Sequence, residues 1–329
     1  MLTGVAIYLA AAPSSTDGDF LAWSAVLLAV AGLLTAALLA WLAGLRSWWF
    51  ALAPPLVLYA FHNWDLFAVC ATVLAFWVLI GAGRARSDDA ARPRTAERGE
   101  TGSGGIDRVR PLVLAAVALG IGGAFKLYPM MFALPIALWL GTGGWLGTGR
   151  RLDSGGRQGN AGAAHPTRSR WLMAAAFAVG TGAVFLVINL PFMIAGFTGW
   201  WASFQFQWSR PIDLTTNTIW FWGARPYSDS NNAAVQHDLA TAATVTTLAA
   251  LLLACALGFL RLRNGRRYPW LPVCAAMICG YLLFNKVHSR SSCCGYCGSS
   301  CCCGSGQGGS WPTLWRTRRS ASGSSDGNI

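Results

Sequence analysis

Long apolar runs separated by arginine-rich segments make up most of the first 289 residues. A helix needs about 20 apolar residues to cross a bilayer, so several of these runs fit a single crossing. Residues 48–83 and 111–147 are longer, and polar residues interrupt each of them once, at His62–Asp65 and at Lys126–Pro129. The runs are Leu21–Leu45, Trp48–Gly83, Pro111–Gly147, Trp171–Gly196, Leu239–Leu260 and Pro269–Phe284.

The arginines between the runs predict the orientation of the chain. Residues 84–110 hold seven arginines and five acids, residues 148–170 hold five arginines and one acid, and four more arginines follow Leu260. Because basic loops face the cytoplasm, both linkers are expected on that side, and the run between them must cross twice. Trp48–Gly83 and Pro111–Gly147 are therefore predicted hairpins. The fold class is an all-α, polytopic transmembrane bundle of about eight segments in the plasma membrane.

Four basic residues oppose this orientation. On the assignment above, 17 of the first 21 basic residues face the cytoplasm, while Lys126, Arg210, Arg225 and Lys286 face outside. The chain has two lysines among its 25 basic residues, and both belong to this group. Each lysine could snorkel to the interface, or the two could neutralise a lipid-linked phosphate. Their coincidence beside Asp65 favours a binding site.

Polar residues near the other external turn are further candidates. Asp65 is the single acid between Leu21 and Gly83; ionisable residues at membrane depth are usually functional, although Asp65 could also cap the helix that starts at Leu66. His62 and Asn63 could bind a sugar hydroxyl or end the preceding helix. Residues 197–237 are predicted to form an external, aromatic-rich loop in which residues such as Trp208 lie beside polar partners. That loop fits an interfacial aromatic belt and also suits sugar rings.

Several short segments resemble one enzyme family. AFKLYPMMFALPIAL (124–138), YAFHNWDLFAV (59–69), VINLP (187–191) and LLFNKVHS (282–289) resemble segments of actinobacterial, polyprenol-phosphate-sugar-dependent glycosyltransferases of the family 87 type. The resemblance covers roughly residues 1–289. It implies a GT-C-like bundle with an external active site, which transfers mannose or a similar sugar from a polyprenyl-phosphate donor to a lipid or cell-envelope glycan acceptor. It implies no metal and no other cofactor.

Charge development in this reaction suggests roles for the candidates. Negative charge moves to the departing phosphate and the ring gains oxocarbenium character, so a cation is needed near the leaving group. Lys126 and Lys286 are the predicted cations, and Tyr128, His288, His62, Asn63, Trp208 and Arg210 are the other predicted substrate-binding residues. Asp65 is the predicted general base. The family's usual base is expected in a first external loop, and this chain starts beyond that point, so an upstream start is expected.

The last forty residues differ in kind from the rest. Residues 290–329 are rich in Cys, Gly and Ser, and the crowded cysteines match no standard zinc spacing. Consecutive cysteine codons encode leucine when they are read one nucleotide earlier, and one restored C after Ser289 converts the stretch into an apolar helix. Residues 1–289 are therefore predicted to form the membrane domain, with residues 290–329 as a frameshifted, disordered tail.

Two other function classes fit the same pattern. A transporter or lipid flippase would use Asp65 and Lys126 as coupling or substrate charges, and a truncated gene remnant would be inactive. The formal net charge of +12 lies in blocks between apolar runs and is explained by orientation, so we expect membrane lipids and no nucleic acid among the partners.

Overall fold

The computed structural model describes residues 2–52, 64–91, 106–145, 168–212, 218–225, 232–263 and 267–286. Every regular element within these ranges is helical, which confirms the predicted all-α class. All of the ranges belong to one packed unit, Met1–Ser291. The predicted tail, 290–329, lies outside the described residues.

The helices follow the apolar runs closely. In chain order they are α1 (Leu2–Ala11), α2 (Asp17–Ala43), α3 (Trp48–Ala51), α4 (Asp65–Ala91), α5 (Ile106–Phe125), α6 (Tyr128–Met131), α7 (Ala133–Gly141), α8 (Arg168–Ser209), α9 (Ile219–Gly223), α10 (Ala233–Arg263) and α11 (Trp270–Phe284). A short 3₁₀ turn, Gly44–Ser47, joins α2 to α3.

Four helical segments are long and apolar enough to cross a membrane: Asp17–Ser47, Asp65–Arg86, Arg168–Ser209 and Ala233–Arg263. The other predicted spans correspond to shorter apolar helices, Val109–Phe125, Tyr128–Gly141 and Trp270–Phe284, or lie mostly outside the described residues, as the arm after Trp48 does. The described residues thus contain four helices that are long and apolar enough to span a membrane, where the pattern predicts about eight segments.

Local chemistry sets where α2 begins and ends. The Thr16 hydroxyl accepts a hydrogen bond from the Asp19 backbone N–H at 3.1 Å, and the Asp19 carboxylate accepts one from the Thr16 backbone N–H at 3.0 Å. This reciprocal capping box satisfies two backbone donors that a helix start leaves unpaired. At the other end the chain leaves the helix at Gly44, whose φ of 59° favours glycine.

Contacts between α2, α4 and α5 define their relative directions. Leu28, in the middle of α2, lies in one apolar cluster with Leu66 at the start of α4. Arg84 donates to the Leu42 carbonyl at 3.2 Å, near the end of α2, so these two helices are parallel. Phe67 near the start of α4 stacks on Phe125 at the end of α5, with ring centroids 4.9 Å apart. Helix α5 therefore runs antiparallel to α4.

The remaining long helices continue the alternation. At the end of α7, a Cβ on Gly141 would meet Trp171, and a Cβ on Gly143 would meet Arg170. Both of these residues lie at the start of α8, so α8 runs back along α7. Helices α10 and α11 are antiparallel as well, because Gly258 lies against Tyr268 and Cys255 Sγ is 3.8 Å from Met277 Sδ. Each of these pairs of consecutive helices is thus antiparallel.

These directions gather two groups of residues at opposite ends of the bundle. Arg84, Arg86, Trp145 and Arg170 share one end, which we call the arginine end: the Arg86 guanidinium lies 3.8 Å from the centroid of the Trp145 ring. The other end, which we call the lysine end, holds Asp65, Lys126, Tyr281 and Lys286. Helix α4 spans the distance between the two ends with about 20 residues, or roughly 30 Å at 1.5 Å per residue.

The core lies between α4, α5, α7, α8 and α11. Its members include Leu79, Leu119, Ile136, Leu140, Phe177 and Cys274. Large apolar side chains also line the outside of the long helices, where they are exposed: Val30, Leu33, Val179, Val187, Ile194, Leu252 and Leu257 among others. Apolar exposure on this scale is unusual for a protein that is surrounded by water.

The predicted boundaries need two corrections. The aromatic stretch that was expected to be a loop from residue 197 is helical to Ser209, and it follows a kink at Gly196, the residue where the predicted span ends. The linkers also contribute helix, since α4 continues to Ala91 and α5 begins at Ile106. Alanine and arginine are good helix formers, so a helix continues past its apolar part.

One hydrogen bond braces the kink of α8. Pro191 interrupts the helical hydrogen bonding, and the buried Asn189 side chain donates to the Phe185 carbonyl at 2.8 Å. Its Oδ1 accepts from Trp200 Nε1 at 3.3 Å, across the non-helical Gly196. Asn189 is thus part of a helix irregularity, as its position before Pro191 indicates.

Candidate functional site at the lysine end

Lys126 and Asp65 form an ion pair at the lysine end. Lys126 follows the last residue of α5, where its backbone N–H still donates to Gly122 at 2.9 Å, and its Nζ contacts Asp65 Oδ1. Asp65 is the first residue of α4. The antiparallel packing of these two helices therefore brings the charges together. The two side chains keep 36% and 38% exposure, so each of them is partly open to solvent or to a ligand.

Two tyrosines lie around this ion pair. Tyr128 opens α6 immediately after the turn, and Tyr281 lies near the end of α11. Both hydroxyls are close enough to Asp65 to feel its charge. The sequence singles out Tyr128 and misses Tyr281, because nothing in its apolar surroundings distinguishes it until the packing of α11 is known.

Lys286 lies just beyond α11 and is buried, at 8% exposure. Its Nζ donates a hydrogen bond to the backbone carbonyl of Trp208, at the end of α8. Burial lowers the pKa of the Lys286 ammonium from its usual value, because the charged form loses hydration. The partner is a neutral oxygen, so the positive charge itself is not balanced by this contact.

The end of α8 supplies the wall beside Lys286. The Trp208 ring is exposed and meets Trp201 edge to face, with centroids 6.1 Å apart. Arg210 follows the helix end, is half-buried, and its backbone N–H donates to Phe206 at 3.1 Å. Trp208 and Arg210 therefore lie at the same end of the bundle as Lys286.

Two polar contacts that the sequence analysis does not identify tie this region together. Trp220 Nε1 donates to the Phe284 carbonyl at 2.7 Å, which fastens α9 to the end of α11. The Gln236 side chain accepts from Ile212 N–H at 3.0 Å and donates to the Ile212 carbonyl at 3.4 Å. Both contacts are long-range, so neither has a signature in the sequence.

Three predicted substrate-binding residues, His62, Asn63 and His288, lie outside the described residues. The described part of the chain does bring together Asp65, Lys126 and Tyr128, and it places Trp208 and Arg210 with Lys286. Within that part, no three His, Cys, Asp or Glu side chains are arranged to hold a metal ion. The four cysteines described, Cys70, Cys255, Cys274 and Cys279, are free thiols.

Comparison with protein-family models, with curated proteins and with solved structures yields no match to this chain. The functional argument therefore rests on the residues and their geometry.

Proposed function

We propose that the chain is a multi-pass plasma-membrane protein with about eight membrane segments. The exposed apolar side chains on the long helices support this, because lipid is the solvent in which such faces are stable. The roughly 30 Å that α4 covers between Asp65 and Arg84, about 20 residues, equals the hydrocarbon thickness of a bilayer. With basic residues facing the cytoplasm, the arginine end is cytoplasmic and the lysine end is external.

We further propose that the lysine end binds a polyprenyl-phosphate sugar and transfers the sugar, mannose or a similar one, to a lipid or cell-envelope glycan acceptor. The observation that carries this proposal is the buried Lys286 ammonium, whose described partner is the neutral Trp208 carbonyl. A phosphate oxygen is a stronger acceptor for an ammonium than an amide carbonyl. A donor whose phosphate sits at the membrane surface would bring that oxygen to this end.

The neighbouring residues fit the remaining steps. Lys286 would balance the charge that builds on the phosphate as the glycosyl bond breaks. Asp65 would accept the proton of the attacking hydroxyl, with Lys126 fixing its carboxylate. The ion pair changes the expectation from sequence, in which Lys126 and Lys286 share one role: Lys126 is the partner of the base and Lys286 is the phosphate ligand.

The Asp65–Lys126 ion pair also favours a second candidate. Paired charges in membrane proteins often mark the coupling or substrate site of a transporter, so a transporter or lipid flippase would use the same two residues. Such a protein moves its substrate across the bilayer without breaking a glycosyl bond. A truncated, inactive remnant would do neither.

The experiment uses membranes that contain the full chain, with polyprenyl-phosphate carrying a radiolabelled sugar. We expect label to pass to lipid or glycan products with the natural chain, and Lys286→Gln to lower transfer at least tenfold, the size of effect that follows from losing one charge-stabilising group. Asp65→Asn should lower the maximal rate. Arg46→Gln is the matched control, since Arg46 is an exposed cation just beyond the C-terminal end of α2. This substitution should leave transfer unchanged.

The outcomes separate the candidates. Movement of the intact donor across the bilayer, with its sugar still attached, would support the flippase. Membranes that show neither transfer nor movement, from a chain that is folded by circular dichroism, contradict both activities. Equal losses in Lys286→Gln and Arg46→Gln contradict the role of Lys286, because a specific phosphate ligand should matter more than any other cation.

A further inference from the structure

The arginine end contains a second cluster of buried donors. Arg170, at the start of α8, lies against Gly143: a Cβ on this glycine would be 2.5 Å from Arg170 Nη1. Gly143 also has a φ of 85°, which favours glycine. The absent side chain thus leaves room for the guanidinium. Within the described ranges, Arg170 Nε and Nη1 are buried and have no hydrogen-bond partner.

Trp145 adds a third donor to the same turn. It is two residues beyond Gly143 and only 4% exposed, and its Nε1 is buried with no hydrogen-bond partner among the residues described. The Arg86 guanidinium covers the face of its ring, 3.8 Å from the centroid. The turn formed by residues 143–145 is therefore in contact with two guanidinium groups from two different helices.

The chemistry of these groups selects the ligand. Most buried donors in proteins have acceptors, and a guanidinium is always charged and has no acceptor atoms. The three buried nitrogens are all donors, so the missing partner must supply acceptor oxygens and negative charge. A phosphate meets both needs, because its oxygens accept hydrogen bonds and it carries the negative charge that pairs with a guanidinium.

We propose that the phosphate of an anionic phospholipid headgroup binds Arg170 and Trp145 at the arginine end. Exposed apolar side chains follow at once in α8, Trp171 and Leu172, and these would lie along the acyl chains. Basic residues between helices at the cytoplasmic face commonly bind such headgroups. The inference needs the proposed membrane location but not sugar transfer, and its residues are at the opposite end from Lys286.

The test measures lipid binding by the purified full chain in detergent. Short-chain phosphatidylglycerol, phosphatidylcholine and inorganic phosphate are titrated separately, and the midpoint of thermal unfolding is followed by circular dichroism, because a ligand of the folded state raises it. We expect phosphatidylglycerol to raise the midpoint, phosphatidylcholine to leave it unchanged, and inorganic phosphate to require a far higher concentration.

Variants assign the site. Arg170→Gln should weaken phosphatidylglycerol binding about tenfold or more, the effect expected for losing hydrogen bonds to a charged group. Arg168→Gln removes the same charge from an exposed position on the same helix and should bind as the natural chain does. Trp145→Phe keeps an aromatic ring and removes the N–H, so it should bind several-fold more weakly. This variant tests the site if Arg170→Gln does not fold.

Three results would overturn the proposal. Equal weakening in Arg168→Gln and Arg170→Gln would mean unspecific attraction by surface charge. Equal responses to phosphatidylglycerol and phosphatidylcholine would mean that the anion is not recognised. Inorganic phosphate acting at the same concentration as the lipid would identify a site for a free anion. A protein that binds phosphatidylglycerol as expected but transfers no sugar leaves this inference intact and counts against the proposed enzyme alone.

Discussion

Gly120 offers the sharpest test of how the bundle is packed. It lies in α5, and a Cβ at this position would be 2.6 Å from the Val184 Cβ and 2.8 Å from the Thr181 backbone carbonyl of α8. Neither atom can rotate away, so Gly120→Ala must push the two helices apart. Overpacking of this kind typically costs about 1–3 kcal/mol, and contact with backbone places this case near the upper limit.

The same substitution also has a favourable part, which a control isolates. Alanine is better than glycine inside a helix by about 1 kcal/mol, so the net destabilisation from Gly120→Ala is about 2 kcal/mol by these two principles. Gly182 lies in α8, and no atom lies within 4 Å of its hypothetical Cβ. Gly182→Ala should therefore be neutral or stabilising by about 1 kcal/mol. The two variants should differ by about 3 kcal/mol.

Reversible unfolding in mixed micelles, driven by increasing SDS and followed by circular dichroism, measures both free energies. Gly120→Leu and Gly182→Leu extend the series. We expect the free energy of unfolding to fall further in Gly120→Leu and not in Gly182→Leu. Equal stability of Gly120→Ala and Gly182→Ala would refute the close approach of α5 and α8. Because α5 ends immediately before Lys126, it would also weaken the placement of that residue.

Two further predictions test the kink and the orientation. Asn189→Ala removes the acceptor of the Trp200 N–H across the kink of α8 and should lower the free energy of unfolding by about 1 kcal/mol. In a chain that already carries Trp200→Phe, Asn189→Ala should lower it by less. Full additivity of the two changes would argue against the hydrogen bond. Leu127→Cys and Leu45→Cys place thiols at exposed positions beside the two ends. In intact cells an impermeant maleimide should label the first above the background of the natural cysteines and not the second, and the reverse pattern would invert the topology.

The all-α class and the positions of the long helices could be predicted because they depend on quantities that a sequence contains. Run lengths and the arginine-rich linkers predict where the chain reverses direction, and the structure places one reversal at Lys126, between α5 and α6. The same counting of reversals predicts that Asp65 and Lys126 lie at one end of the bundle. This counting does not give the rotation of each helix about its axis. The ion pair between Asp65 and Lys126, and the position of Tyr281 near Asp65, could therefore not be predicted.

The helix from Phe197 to Ser209 was missed for a different reason. Its tryptophans, phenylalanines and glutamines have neither the apolarity of a span nor the charge of a linker, and hydropathy alone assigns such a stretch to a loop. The spacing of Trp200, Phe204 and Trp208 carries the helical signal, since residues four apart share a face. Trp200 and Phe204 are in contact, with ring centroids 4.9 Å apart.

The two lysines oppose the orientation that the arginines favour, and the structure accounts for them unequally. Lys126 has Asp65 as a partner, so a structural role is enough to explain its charge. Lys286 is buried against a neutral carbonyl, and burial lowers the pKa of its ammonium, which means that the folded state holds the charge at a cost. An anionic oxygen at this position would remove that cost and would raise the pKa again. The proposed ligand phosphate would therefore account for a buried Lys286, whereas interfacial snorkelling would leave the ammonium in water.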